Sequence, residues 1–368
     1  MSIIPIKILV PRLHGMGGVA NYYLSIKKHL GADYQYVYRG NVSREESGTS
    51  VPGRMVKDYV LFCRRTWSDT DVVVINSSLG VGGFFRDGLY VLLSPVHVRK
   101  VVFFHGWNLG FEKRIGASFG LKTWLNRTFL TADHIIVLSA GFKKKLRHWG
   151  YTGPISLGTT IVDEQLLEDV NFQRLSKERA ENKNPTILYL GNISEAKGVR
   201  GVIQAYQLLF SRNGLKNLKC IMAGQGNMLE ELKAQADSQN LDIQFPGYVR
   251  EKQKTGVFKS AHVYVFPSAH GEGMPTSVLE AMAFGLPVIT TRVSGISDFF
   301  EDGKMGLFLD TRDPEHIAKK IRYLLDRPEL MHQMSEYNYN YAKEHFYAGK
   351  VADWFKSIIE SVIHDDNE

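Results

Sequence analysis

Three features of this 368-residue chain could do chemistry together: a pair of carboxylates, a lysine in a glycine-flanked loop, and a histidine after an apolar run. The carboxylates are Glu272 and Glu280, with seven residues between them, within the segment His270 to Pro287. Pro275 suits the first turn of a helix and Gly285 suits its end. A helix starting there leaves the N–H groups between Met274 and Ser277, of which Pro275 has none, without intrahelical partners, a ready site for a diphosphate. Glu280 then lies about one turn along, at ~1.5 Å per residue, and Glu272 lies in the preceding loop. Carboxylates repel phosphate. They make sense here as acceptors for hydroxyls on either side of it. Taken singly, each is as easily read as a solvated charge.

Lys197 lies in the loop Gly191 to Gly198, after an apolar strand. A cation there would neutralise a leaving diphosphate. Gly17 and Gly18 follow the first strand, and glycines allow the backbone close to a ligand. His105 follows the run Lys100 to Phe104.

The segment from Glu272 through Glu280 and on to Pro287 closely resembles the donor-site signature of glycosyltransferase family 4, retaining enzymes of the GT-B fold. The resemblance covers most of the chain, strongly over 186–310 and weakly over 1–165. It implies that Glu272 binds the donor sugar's hydroxyls and Glu280 the ribose hydroxyls, with Gly273, Met274, Pro275 and Thr276 around the diphosphate. It implies a catalytic part for Lys197, Glu272 and His105, the histidine contacting the donor sugar. Gly17 and Gly18 would face the donor phosphate and the acceptor. Gly224 would form a donor-side turn, and Tyr248 or Val249 would line the nucleobase pocket. Asn192 stands where the family commonly has arginine, which leaves Lys197 with more of the phosphate's charge. No metal and no cofactor are implied, since the nucleoside diphosphate sugar is a substrate.

The elements around these residues predict an α/β chain. Short apolar runs at Lys7–Pro11, Asp71–Ile75, Lys100–Phe104 and His134–Leu138 alternate with helical periodicity, as in a parallel sheet covered on both faces. The pattern pauses over 164–184, with a polar linker at Glu181 to Pro185, and restarts at Thr186–Leu190, Lys219–Ala223, Val263–Pro267 and Pro287–Thr290. A helix is expected over Val199 to Phe210. We expect two Rossmann-like domains facing across a cleft: 1–165 on the acceptor side, 166–345 on the donor side, and a C-terminal helix over 346–368 that could return to the first. Ligands in such sheets bind beyond the carboxyl ends of the strands.

Composition narrows the class further. With 44% hydrophobic and 23% charged residues the chain is an ordinary globular one. Two cysteines, Cys63 and Cys220, form no disulfide framework or zinc motif and read as buried thiols in a reducing compartment. No apolar run is long enough for a membrane span, so a cytoplasmic protein is expected. Residues 1–165 hold 21 Lys and Arg against 11 Asp and Glu, whereas the remainder holds 24 against 27. A basic half with interleaved aromatics (Arg114, Lys122 and Arg127 near Phe119, Trp124 and Phe129; Lys143 to Trp149) could meet an anionic membrane face. The expected activity is transfer of a hexose or N-acetylhexosamine, from a UDP sugar in preference to GDP, to a lipid-linked saccharide in O-antigen or capsule assembly, at the inner face of the membrane. An epimerase of the same fold and a non-catalytic nucleotide-sugar-binding protein are the alternatives. A nicotinamide enzyme lacks its glycine spacing, a P-loop enzyme lacks its motif, and no nucleic-acid signature is present.

Overall fold

The computed structural model describes residues 5–13, 17–40, 51–212, 215–269 and 273–364. Six strands form the first sheet: β1 (Ile6–Pro11), β2 (Tyr34–Arg39), β3 (Val72–Leu79), β4 (Arg99–Trp107), β5 (His134–Val137) and β6 (Ile155–Leu157). Six form the second: β7 (Thr186–Leu190), β8 (Lys219–Ala223), β9 (Ile243–Gly247), β10 (Val263–Phe266), β11 (Val288–Thr291) and β12 (Gly306–Leu309). Every pairing between them is parallel. Val72 to Ile75 and Val101 to Phe103 have no exposed surface, because helices cover both faces of the sheet.

The strand orders are β2-β1-β3-β4-β5-β6 and β12-β11-β10-β7-β8-β9. The direction of winding reverses beside β1 in the first sheet and beside β7 in the second. At such a switch point adjacent loops leave in opposite directions and open a crevice at the carboxyl ends. In the second sheet the flanking loops are those after β7 and β10. They carry Lys197 and the segment leading to Glu280.

The chain forms two compact units. Unit 1 is Met1–Ile161, Gly271–Met274 and Ala348–Glu368; unit 2 is Val162–His270 and Pro275–Tyr347. The helix Ala348–His364 belongs to unit 1 because its apolar stripe, including Val351, Phe355 and Ile359, is buried with Tyr23, Ile26 and Val74. Those positions recur at helical spacing.

Several expectations need correction. The pause over 164–184 is not irregular throughout: it holds the turn Glu164–Leu167 and the helix Phe172–Glu181, while the linker expected at Glu181 to Pro185 is non-helical from Asn182 on. The helix Phe172–Glu181 is part of unit 2, with Phe172 stacked on Tyr339 at 4.2 Å. Arg179 donates to the carbonyls of Phe284 (2.7 Å) and Phe258 (2.9 Å), near the ends of two helices. There it complements their negative dipole ends. The helix from Val199 closes at Gln207 into a wider π turn over Leu208–Arg212. Cys220 is buried, but Cys63 is only partly so. β4 runs on through Trp107, so His105 lies within a strand and not after one.

Candidate functional site

Lys197 ends a short turn, Glu195–Lys197, in the loop after β7. The next residue, Gly198, has φ 74°, and a Cβ there would lie 2.3 Å from the Pro267 carbonyl. That close approach ties the loops after β7 and β10 together, as does the Ala269 N–H donating to Ala196 O at 2.9 Å. Lys197 is half-buried, its ammonium 5.9 Å from the Phe266 ring centre, and desolvation lowers its pKa. A cation stripped of water in this way interacts more strongly with a phosphate. Asn192 is exposed, and its carbonyl accepts from the Tyr189 hydroxyl at 2.7 Å. Gly224 sits at φ 143°, and a Cβ on it would lie 1.8 Å from Gly191 O. Its missing side chain admits the neighbouring backbone.

The helix Thr276–Ala283 starts after Pro275 at the same end of the sheet. Its far end is closed by Gly285 at φ 67°, with Gly285 N–H donating to Met282 O (2.8 Å) and Leu286 N–H to Ala281 O (2.9 Å). This left-handed closure is what glycine permits. At the near end the N–H groups of Thr276 and Ser277 have no intrahelical acceptor. The Ser277 hydroxyl lies 2.8 Å from that of Tyr264, whose single proton goes to Leu190 O. Glu280 is buried, 2% exposed, and so differs from the solvated charge it could have been. Its Oε1 lies 2.5 Å from the Lys254 ammonium, while Oε2 is buried without a hydrogen-bond partner. Burial raises the Glu280 pKa and Lys254 opposes the rise. Nothing in the sequence reading marked Lys254. Only its spacing to buried Phe258, four residues on, hinted at an inward helix face.

Tyr248 is exposed, with the Arg250 guanidinium 4.8 Å from its ring centre, and Val249 is buried. Glu272 lies outside the described residues. Gly273 and Met274 pack within unit 1. A Cβ on Gly273 would lie 3.1 Å from Leu138 Cδ1 and 3.5 Å from the His105 carbonyl, and the Thr160 hydroxyl donates to Met274 O at 3.3 Å.

His105 forms the second cluster. Asn76 is fully buried in β3. Its amide donates to Leu9 O at 2.9 Å, which fixes the carboxamide's orientation. Its Oδ1 accepts from the Tyr23 hydroxyl (2.9 Å) and faces His105 Nε2 (2.7 Å). A carboxamide oxygen cannot donate, so the proton is on Nε2 and Nδ1 is an acceptor. The ring lies 3.8 Å from that of Phe103. Desolvation, then the Arg39 charge, push its pKa down to about 3. At neutral pH His105 is uncharged and can accept a hydroxyl proton in a hydrogen bond. It is not poised to act as a general acid. Gly17 is the N-cap of the helix Gly18–Ile26, at φ 159°.

The basic cluster of unit 1 is less open than its sequence suggests. Lys145 pairs with Glu112 at 3.0 Å, Lys143 donates to Ile155 O, and Arg147 to Tyr151 O. Trp107 stacks on Phe142 and on Trp149, and Trp124 donates to Phe84 O, so these aromatics serve the core. Phe119, 87% exposed, is the exception among the interleaved rings. Among the described residues no helix is long and apolar enough to cross a membrane, and no three His, Cys, Asp or Glu gather to hold a metal. A cavity of about 260 Å³ lined by Arg179, His262 and Pro287 lies at the amino ends of β7, β10 and β11, opposite the loops above.

Two six-stranded parallel sheets, each flanked by helices and each with its candidate residues at the carboxyl ends, define a GT-B fold. The fold superposes with a TM-score of 0.70 on Anabaena HepE, solved with UDP and glucose, at 13% identity over 97% of this chain and all of that one. Residues 171–341 match the family described as Glycosyl transferases group 1. Curated relatives agree. An uncharacterised glycosyltransferase of Methanocaldococcus jannaschii is 26% identical over 66% of this chain and 62% of its own length. A capsular polysaccharide biosynthesis glycosyltransferase of Staphylococcus aureus is 30% identical over 40% of this chain and 39% of its own. The chain thus spans less than two thirds of the length of either relative.

Proposed function

We propose that this chain is a retaining glycosyltransferase that moves a hexose or N-acetylhexosamine from a nucleoside diphosphate sugar to a saccharide acceptor. The observation that carries the reading is Glu280: a buried carboxylate with one oxygen held by Lys254 and the other without a partner, about one turn along a helix from its N-terminus. That oxygen suits a ribose hydroxyl, and the Thr276 and Ser277 N–H groups suit the diphosphate. Lys197 neutralises the diphosphate as it leaves. The acceptor oxygen bonds to the anomeric carbon as the bond to the diphosphate breaks, and the acceptor's proton passes to the departing phosphate oxygen. Attack from the leaving group's face retains configuration. His105 Nδ1 accepts from a hydroxyl of the donor sugar, and Glu272 binds others. Gly17 and Gly18 face the donor phosphate, Asn192 and Gly224 shape the phosphate loop, and Tyr248 with Val249 bounds the base. UDP is favoured over GDP, a choice supported by the UDP in the similar HepE structure.

Calorimetric titration of UDP, GDP and dTDP into wild type and Glu280→Gln tests the site. One diphosphate should bind wild type and lose at least about tenfold in the variant, the scale of a hydrogen bond to a charged group. Equal binding by both proteins, or no binding by wild type, overturns the reading.

The acceptor is a lipid-linked saccharide of surface-polysaccharide assembly, reached from the inner face of the membrane. The charge excess in 1–165, the exposed Phe119 and the capsular relative support this. Co-sedimentation should favour phosphatidylglycerol vesicles over phosphatidylcholine at low salt and lose that preference at high salt. Equal binding to both at low salt removes the membrane from the proposal.

A further inference from the structure

We infer that Lys254 is a positioning residue of the donor site, fixing Glu280 as a carboxylate with one oxygen committed and the other open to a ligand hydroxyl. The inference rests on the donor-site reading above and adds a residue that neither the motif nor the relatives' names single out. Lys254 lies on the helix Glu251–Ser260, on the face that buries Phe258, while Lys252 on the same helix is exposed. Its side chain is 22% exposed and that of Glu280 is 3%, so the pair is shielded from water. Thr255, the next residue, donates to Leu166 O at 3.0 Å and anchors the helix.

The groups acting on Glu280 come from three elements. Lys254 favours the charged form, and Asp163, preceding the turn Glu164–Leu167, disfavours it. The Tyr264 hydroxyl on β10 bonds to Leu190 O and Ser277 and is not available to the carboxylate. Lys254 is therefore the group that offsets both burial and Asp163. Without it the carboxyl group takes up a proton more readily. One oxygen then becomes a donor, and the site loses the two-acceptor character that suits a pair of hydroxyls.

The test is calorimetry with UDP, GDP and dTDP at pH 5.5, 7.0 and 8.5, on wild type, Lys254→Met, Lys254→Arg, Glu280→Gln and the double variant Lys254→Met/Glu280→Gln. The diphosphate's own titration is common to all five proteins and cancels in the comparison. Lys254→Met should bind roughly tenfold more weakly at pH 7.0, and its affinity should recover as pH rises and Glu280 ionises. Lys254→Arg should restore most of the affinity and the wild-type profile. The double variant should follow Glu280→Gln with no further loss, because Lys254 acts through Glu280. It lacks both charges, so it also separates a folding defect from a binding one. A Lys254→Met protein with wild-type affinity and pH profile, beside a Glu280→Gln protein that has lost binding, overturns the role of Lys254 alone. Wild-type-like binding by Glu280→Gln, or no diphosphate bound by wild type, overturns the donor-site reading and this inference with it.

Discussion

Each unit places a titratable side chain near the carboxyl end of its sheet, yet the two are held in opposite electrical states. In unit 1 His105 is uncharged, and its Nε2 proton is committed to Asn76, whose other contacts are Tyr23 and Leu9. In unit 2 Glu280 and Lys254 form a buried ion pair that leaves one oxygen unpartnered, and Lys197 sits half-buried in the loop after β7. A buried ion pair is expensive to desolvate and is often no more stabilising than apolar packing. Its presence, with an open acceptor, points to a use beyond stability. The neutral cluster suits hydroxyl recognition, and the charged one suits a ligand that carries charge and develops more as it leaves.

The largest expected effect tests this division of labour directly. Lys197→Ala should lower turnover at least ~100-fold, the scale of losing one preorganised donor to a developing anion, with far less change in donor KM. His105→Ala should cost less, because a neutral acceptor meets a hydroxyl whose charge barely changes. Steady-state kinetics with sugar donors of the nucleotide that the titration identifies measures both. A Lys197→Ala enzyme with near-normal turnover, or one less impaired than His105→Ala, would break the contrast between the units.

The same contrast explains what could be read in advance. The parts of unit 2 proposed to face the phosphate lie on contiguous stretches of chain. The apolar runs at Thr186–Leu190 and Lys219–Ala223 are strands to the residue, and the segment around Pro275 and Gly285 is a helix with the expected ends. Partners far apart in sequence left no such mark. Lys254 meets Glu280 across 26 residues, and Asn76 joins His105, Tyr23 and Leu9 only because β3 lies between β1 and β4. β2 escaped notice because it is an edge strand, with tyrosines half-exposed at Tyr34, Tyr36 and Tyr38 instead of an apolar run. The basic cluster misled in the other direction. Lys143 to Trp149 reads as one amphipathic surface, but Phe142, Leu146 and Trp149 pack inward and several of the cations are engaged by backbone and Glu112. Composition records which residues are present, and only packing decides which of them meet solvent.

The smallest expected effect concerns the neutral side of the comparison and is read through stability. His105 has its pKa pushed down to about 3 in the folded protein, against about 6.5 in an unfolded chain. Between those values the unfolded chain binds a proton that the folded one refuses, so stability is full above about pH 6.5 and falls as pH drops toward 3. Between pH 7.5 and 5.5 the loss from this one group should be about 1.4 kcal/mol. His262 in unit 2, with its pKa lowered to about 4, adds a similar dependence there. The two can be told apart, because all five tryptophans, Trp67, Trp107, Trp124, Trp149 and Trp354, lie in unit 1. Urea unfolding followed by indole fluorescence therefore reports on the unit that holds His105. In His105→Gln the side-chain amide can still donate to Asn76 and cannot titrate, so the acid loss seen by fluorescence should shrink by about that amount. An equal loss in variant and wild type would mean that His105 is not held neutral, and the electrical contrast between the units would fail on its unit 1 side.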